Sequence, residues 1–167
     1  DPGLIYLDRH INYSPDGVYE LYRILTTNPC GEIGMPAGDA CRLLALNLLS
    51  FVQAAFTKDA IIDYDLLYMM AYEQQRLADL IIDLEEEKIK AIIAKIDSDP
   101  EPEHVKRAER EMWEKCLHVA TQGRRTGCGF TALGDMLAAL GLKYDSDEAM
   151  EVIEKVMRTK FQAELDC

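Results

Sequence analysis

A thiol, a carboxylate and an amide are crowded into five consecutive residues, Asn28-Pro29-Cys30-Gly31-Glu32. Pro29 fixes the backbone before the cysteine, and Gly31 permits a tight bend after it. Such a segment can aim three unlike groups into one small space. Glu32 can take a proton from a substrate hydroxyl. Asn28 can hold the neighbouring hydroxyl as donor and acceptor. Cys30 can act as a nucleophile or a redox centre. The plainer reading of the same residues is an ordinary Asn-Pro turn around a buried cysteine without a local base. Cys41 follows eleven residues on. If the stretch folds back, Cys30 and Cys41 face one pocket from tip and base. Otherwise Cys41 is a small apolar residue at the start of a strand.

The elements that must position these groups follow from composition and spacing. Residues 26–39 hold Pro29 and Pro36 with Gly31, Gly34 and Gly38, which forbids a regular helix or a central strand and predicts a long, functional loop. Upstream, Leu4-Ile5-Tyr6-Leu7 reads as a buried strand and Ser14-Pro15-Asp16-Gly17 as a turn leading to a short helix over 18–25. Residues 41–52 form an apolar run, a buried strand or a core helix by periodicity, and a strand by assignment. Apolar residues at three- and four-residue steps predict a helix over 64–96. At 1.5 Å per residue it would run about 50 Å, so a break within it is expected. Asp97-Ser98-Asp99-Pro100-Glu101-Pro102 ends it. A second helix then reaches Gln122 with Gly123 as its C-cap, and residues 124–129 form a glycine-rich turn. A third helix covers 131–140 and stops at Gly141. A fourth, capped by Asp145 or Ser146, runs to Ala163. The fold class expected is mainly α with a few β-strands. The expected organisation is one incomplete domain: 1–27 leading in, a loop at 28–40, a strand at 41–52 and a helical portion at 60–167.

The chain has 167 residues, 18 Lys and Arg against 30 Asp and Glu, and a net charge of -12. A surface that tracks nucleic-acid phosphates or an acidic membrane leaflet wants the opposite sign, so neither partner is expected. No apolar run approaches the roughly 20 residues that span a bilayer. Asp1-Pro2-Gly3 shows no secretory signal, and the missing initiator Met suggests a piece of something longer. The five cysteines, 30, 41, 116, 128 and 167, include no CxxC pair. A reduced, cytosolic compartment fits them better than a disulfide framework. His10, His104 and His118 lie far apart, so no metal site is expected.

Asn28-Pro29-Cys30-Gly31-Glu32, followed by Cys41-Arg42-Leu43-Leu44 and Leu46-Asn47-Leu48, resembles the finger loop and following strand of the ribonucleotide reductase catalytic subunit. Residues 1–8 are similar to the strand leading into that loop. The run from Gly123-Arg124-Arg125-Thr126-Gly127-Cys128-Gly129 to Gly141 resembles a stretch these enzymes carry farther along. The matches stand in family order and span nearly the whole chain. The acidic long-helix section and the break at 97–102 most resemble the adenosylcobalamin-dependent class.

The resemblance implies that Cys30 is the thiyl-radical cysteine that abstracts the 3′ hydrogen of a ribonucleotide. Glu32 would be the base at the 3′ hydroxyl, with Asn28 hydrogen-bonding the substrate there. Cys41 would be one half of the dithiol that supplies two reducing electrons. It also implies a ten-stranded α/β barrel, which this length cannot close, and adenosylcobalamin for the complete enzyme but not bound to the fragment. Missing flanking segments, or a second copy meeting exposed apolar faces, are the expected protein partners. The family's other redox cysteine, its phosphate-cradling loop and its C-terminal cysteine pair have no counterpart here. The rivals are the class that borrows its radical from a separate metal-containing subunit, and a non-catalytic helical interaction fragment. Cys128 reads as a small core residue, and Cys116 and Cys167 carry no family role. Trp113 reads as core or partly buried, His104 and His118 as solvated or locally hydrogen-bonded, and Tyr64, Tyr68 and Tyr72 as a packing stripe.

Overall fold

The computed structural model describes residues 4–13 and 23–167, and in them helices outweigh strands. In chain order the elements are α1 (Leu7–Tyr13), β1 (Thr26–Thr27), β2 (Gly34–Met35), β3 (Arg42–Asn47), a 3-10 turn (Leu48–Phe51), β4 (Val52–Gln53), β5 (Ile61–Ile62), α2 (Tyr64–Ser98), α3 (Glu103–Gly123), β6 (Thr126–Thr131), α4 (Leu133–Ala139) and α5 (Asp147–Asp166). The strands pair as β1 with β2, β3 with β6 and β4 with β5, and no barrel closes among the described residues. Contacts divide the chain into two compact units. One draws on Asp1–Arg42 and Ile81–Arg125, the other on Leu43–Leu80 and Thr126–Cys167.

The second unit has the larger apolar core. Leu48 and Phe51 of the 3-10 turn meet Leu67 of α2, Met136 and Leu137 of α4, and Val156 of α5. Two of the helices around it, α2 and α5, start where side chains satisfy their first N–H groups. Asp63 Oδ1 accepts from Leu66 N at 2.9 Å ahead of α2, and Ser146 Oγ accepts from Ala149 N at 3.2 Å ahead of α5. Gln74 is 4% exposed, and its amide nitrogen donates to Leu44 O at 2.7 Å and Gly129 O at 2.9 Å. One side chain of α2 thus spans both strands of the β3–β6 pair. Lys160, also buried, donates to Cys128 O at 2.7 Å and pairs with Glu164.

In the first unit the finger segment, β1 to Arg42, shares its space with α1, α3 and the later turns of α2. Ile24 is buried beneath β2. A Cβ at Gly34 would lie 2.8 Å from Ile24 Cδ1 and 3.3 Å from His10 Nδ1, so a larger residue here requires the Ile24 side chain to shift. The buried stripe of α2 runs Leu67, Ala71, Gln74, Ala78, Ile82, Ile89 and Ile96, at steps of three, four and seven that suit one helical face. Met70, Leu77, Leu80 and Leu84 of the same helix stay exposed.

Several sequence expectations are corrected here. Residues 4–7 form no strand: Leu4 and Tyr6 are exposed, and Tyr6 O accepts from Arg9 N and His10 N as the chain enters α1. Most of the helix expected over 18–25 lies outside the described residues, and Arg23, Ile24 and Leu25 are not helical. α2 runs unbroken for 35 residues, because no Gly or Pro stands inside it to open a kink. α3 is closed by Arg124 at φ 40, one residue after Gly123, with its N–H on Ala120 O. Most of the glycine-rich turn expected at 124–129 is instead strand, as part of β6 (Thr126–Thr131). Gly129 faces Leu44 O across the pairing with β3, with room for an ordinary Cβ contact at 3.8 Å. The apolar run at 41–52 divides into β3, the 3-10 turn and the first residue of β4, turning where Asn47 Oδ1 accepts from Leu49 N.

Candidate active site

β1 and β2 pair antiparallel, Thr26 with Met35 and Thr27 with Gly34. They lift residues 28–33 out as the tip of a hairpin. Asn28 organises that tip. Its N–H donates to Ile33 O at 3.2 Å, and its carbonyl accepts from Gly31 N at 3.0 Å. Its side-chain oxygen accepts from Ile33 N at 3.1 Å, and its amide nitrogen donates to Glu32 Oε1 at 2.5 Å. Pro29 therefore sits at the first central position of a β-turn, where its fixed φ belongs. Gly31 follows at φ 81 with open space around its missing Cβ, so the glycine serves the backbone angle and not packing. Cys30 and Glu32 both stand exposed on this tip, two residues apart, with Asn28 half-buried beneath them.

Cys41 precedes β3 and is half-buried. Burial pushes its thiol above the ordinary range, and the nearby Glu32 carboxylate pushes the same way. Arg125 and Arg42 oppose that shift, while Asp39 adds to it. The tip carboxylate and the second sulfur therefore share one electrostatic environment. The base of the hairpin is held by charge. The Asp39 side chain is 2% exposed and accepts from Arg125 Nε at 2.6 Å. Ala40 N donates to the other Asp39 oxygen at 2.8 Å. Arg42, 6% exposed at its side chain, donates through Nε to Glu85 at 2.6 Å and through Nη1 to Ala40 O at 2.8 Å and Arg125 O at 3.3 Å. Gly38, at φ 86, runs close over Lys115 and Cys116 of α3.

Sequence reasoning singled out Asn28, Cys30, Glu32 and Cys41. It missed Asp39, Arg42, Glu85 and Arg125. A signal was present: Arg42 interrupts an apolar run, and the Arg124-Arg125 pair opens a stretch otherwise small and apolar. Charges in such places are buried only when paired. Among the other residues, Cys128 is half-buried, its thiol raised by burial and donating to Gln75 Oε1 at 3.2 Å. Cys116 is half-buried and Cys167 exposed. Trp113 is half-buried, and His104 and His118 are exposed. Tyr68 donates to Asp166 at 2.6 Å, and Lys155 lies 3.9 Å over the Tyr64 ring, which are packing contacts. Among the described residues no three His, Cys, Asp or Glu cluster to hold a metal ion. No described helix is long and apolar enough to cross a membrane.

A family model, the ribonucleotide reductase barrel domain, matches residues 1–163. The chain belongs to this family. As a ribonucleotide reductase barrel-domain chain it is similar to the vitamin B12-dependent ribonucleoside-diphosphate reductase of Mycobacterium tuberculosis, 32% identical over 163 residues, in two strains. That similarity covers 98% of this chain and 19% of the relative. The enzyme of the same name from Thermoplasma acidophilum is 31% identical over 157 residues, covering 94% of this chain and 16% of the relative. The reductase-family chain thus spans less than a fifth of the length of these curated relatives. No solved structure matches it significantly.

Proposed function

We propose that this chain is a catalytic-core segment of a ribonucleotide reductase that converts ribonucleoside diphosphates to deoxyribonucleotides. One observation carries the reading. Asn28 and Glu32 are bonded across a hairpin tip with Cys30 between them, and Cys41 lies in the field of Glu32. The tip groups Asn28, Cys30 and Glu32 within five residues, and only the short strand β2 lies between them and Cys41, which supports their acting on one sugar.

The reaction requires several roles, and residues of this chain fill all but that of the second reducing thiol. The Cys30 sulfur, as a thiyl radical, takes the 3′ hydrogen atom and later returns it. Glu32 accepts the 3′ hydroxyl proton, and its bond to Asn28 orients both toward that hydroxyl. The 2′ hydroxyl leaves as water. Cys41 and a second thiol from outside this chain give two electrons and two hydrogens and join as a disulfide. The sum is one ribonucleotide and two thiols in, one deoxyribonucleotide, one disulfide and one water out. The thiol of Cys41, held protonated by burial and by Glu32, is suited to donate hydrogen rather than to attack as a thiolate.

The similar relatives are named for vitamin B12, and Cys30 fits such a partner because its sulfur is open on an exposed tip. Bound adenosylcobalamin supplies the radical that oxidises the Cys30 thiol. β3 and β6 are read as two neighbouring strands of the family's ten-stranded barrel. The exposed stripe of Met70, Leu77, Leu80 and Leu84 is read as a face for missing barrel segments or for a second copy. Free thiols as reductants suit a reducing, cytosolic compartment.

The test is a completed enzyme in which this chain supplies the core, assayed for deoxynucleotide formation with adenosylcobalamin. Cys30→Ser is expected to abolish turnover. Turnover by that variant would overturn the assignment. Turnover without the cobalamin, driven by a metal-containing radical subunit, would move the chain to the other class.

A further inference from the structure

We propose that Arg125 is a positioning residue for the Cys41 sulfur, acting with Asp39, Arg42 and Glu85 to hold residues 39–42 in one arrangement and keep positive charge beside that sulfur. The inference rests on the reductase reading only for why Cys41 matters.

The geometry is closed on both sides of Cys41. On the N-terminal side, the buried Asp39 carboxylate is bonded by Arg125 Nε at 2.6 Å and by Ala40 N at 2.8 Å. On the C-terminal side, Arg42 reaches Glu85 at 2.6 Å, Ala40 O at 2.8 Å and Arg125 O at 3.3 Å. Arg125 thus takes part through its side chain on one flank and its carbonyl on the other. All of these residues belong to one compact unit. The charged groups facing the thiol are Glu32 and Asp39, which favour the protonated form, and Arg125 and Arg42, which favour the thiolate. The network brings two cations to a sulfur that burial and two carboxylates hold protonated.

The experiment is the pH dependence of iodoacetamide alkylation at Cys41, read by peptide mass spectrometry on the full chain. Arg125→Gln is expected to raise the midpoint by about one unit, a tenfold loss of thiolate at a fixed lower pH. Arg125→Lys, which keeps the charge, should restore it to within about 0.3 unit of the parent. Asp39→Asn should move the midpoint down. Simple loosening of the loop would expose the thiol and move the arginine and aspartate variants the same way, and that result overturns the proposal. If Arg125→Gln alone does not fold by far-UV circular dichroism, the same step is read in the Asp39→Asn background, where no buried carboxylate is left unpaired. There the midpoint must rise, and an unchanged or lower value overturns the proposal. No turnover is involved. A catalytically idle Cys41 in the completed enzyme would sink the reductase role and leave the clamp standing, and a same-direction shift would do the reverse.

Discussion

The tip of the hairpin and its base are a few residues apart and are built on different principles. At the tip, residues 28–33 bond to one another through Asn28, whose carbonyl also accepts from the neighbouring Thr27 hydroxyl. The reactive side chains there are exposed. At the base, residues 39–42 bond to partners 43 to 86 positions away, and their charged side chains are buried. Local bonds fix the shape of the tip whatever lies around it. The base is fixed only when α2 and the start of β6 have arrived. Reactive groups are thus presented by a self-contained turn, while the ground beneath them depends on the folded unit.

The strongest way to sharpen this contrast is at Cys30. In the completed enzyme, Cys30→Ser should lower deoxynucleotide formation on the order of a thousandfold or more. The stability of the chain should stay within about 0.5 kcal/mol, as for an exposed surface change. Urea unfolding beside the turnover assay checks both; a large loss of stability would show that the tip is not self-contained.

At the base the expectation reverses. Asp39→Ala removes the buried carboxylate that Arg125 Nε and Ala40 N bond and should cost about 3 kcal/mol in urea unfolding. A cost below about 1 kcal/mol, within the surface-pair range, would erase the distinction between the two regions.

Gly31→Ala places a Cβ at φ 81, where space is open but the backbone angle is unfavourable, at a cost of about 1–2 kcal/mol. The cost should fall on the tip alone, visible as faster alkylation or proteolysis of residues 28–33 with α2 and α3 protected from hydrogen exchange. Spread of the exchange into those helices would mean that tip and base are coupled.

The smallest expected effect is one of pH. The thiolate is the reacting species, and burial followed by Glu32 raises the Cys41 thiol. At pH 8, Cys41 should alkylate several-fold more slowly than the open Cys30, with its rate rising until pH passes the raised value. Glu32→Gln should speed Cys41 modestly, because one opposing charge is gone. A Cys41 rate unaffected by Glu32 would separate tip from base altogether.

Legibility in the sequence followed the same division. The amide, thiol and carboxylate were readable from five residues because Pro29, Gly31 and the Asn28 bonds act within the segment. The two long helices were readable for a similar reason: periodicity and end signals such as Pro102 are local. The expected break in α2 failed because length alone makes no kink. Residues 126–131 failed because a strand rich in glycine declares itself only through its neighbour. Pairing with β3 and the Gln74 bridge supply what propensity does not.

By itself, then, the sequence determined which groups are candidates for chemistry, the bend that presents them, and the family to which the ordered motifs point. Tertiary structure alone decided that Arg42 would be buried and Arg125 half-buried beside the residues flanking Cys41, that Glu85 and Asp39 would be their counter-charges, and that the glycine-rich stretch would be a strand. The physical reason is range. A turn or a helix closes its bonds within a few residues, whereas a buried ion pair or a strand ladder exists only once distant parts of the chain have removed water from between them.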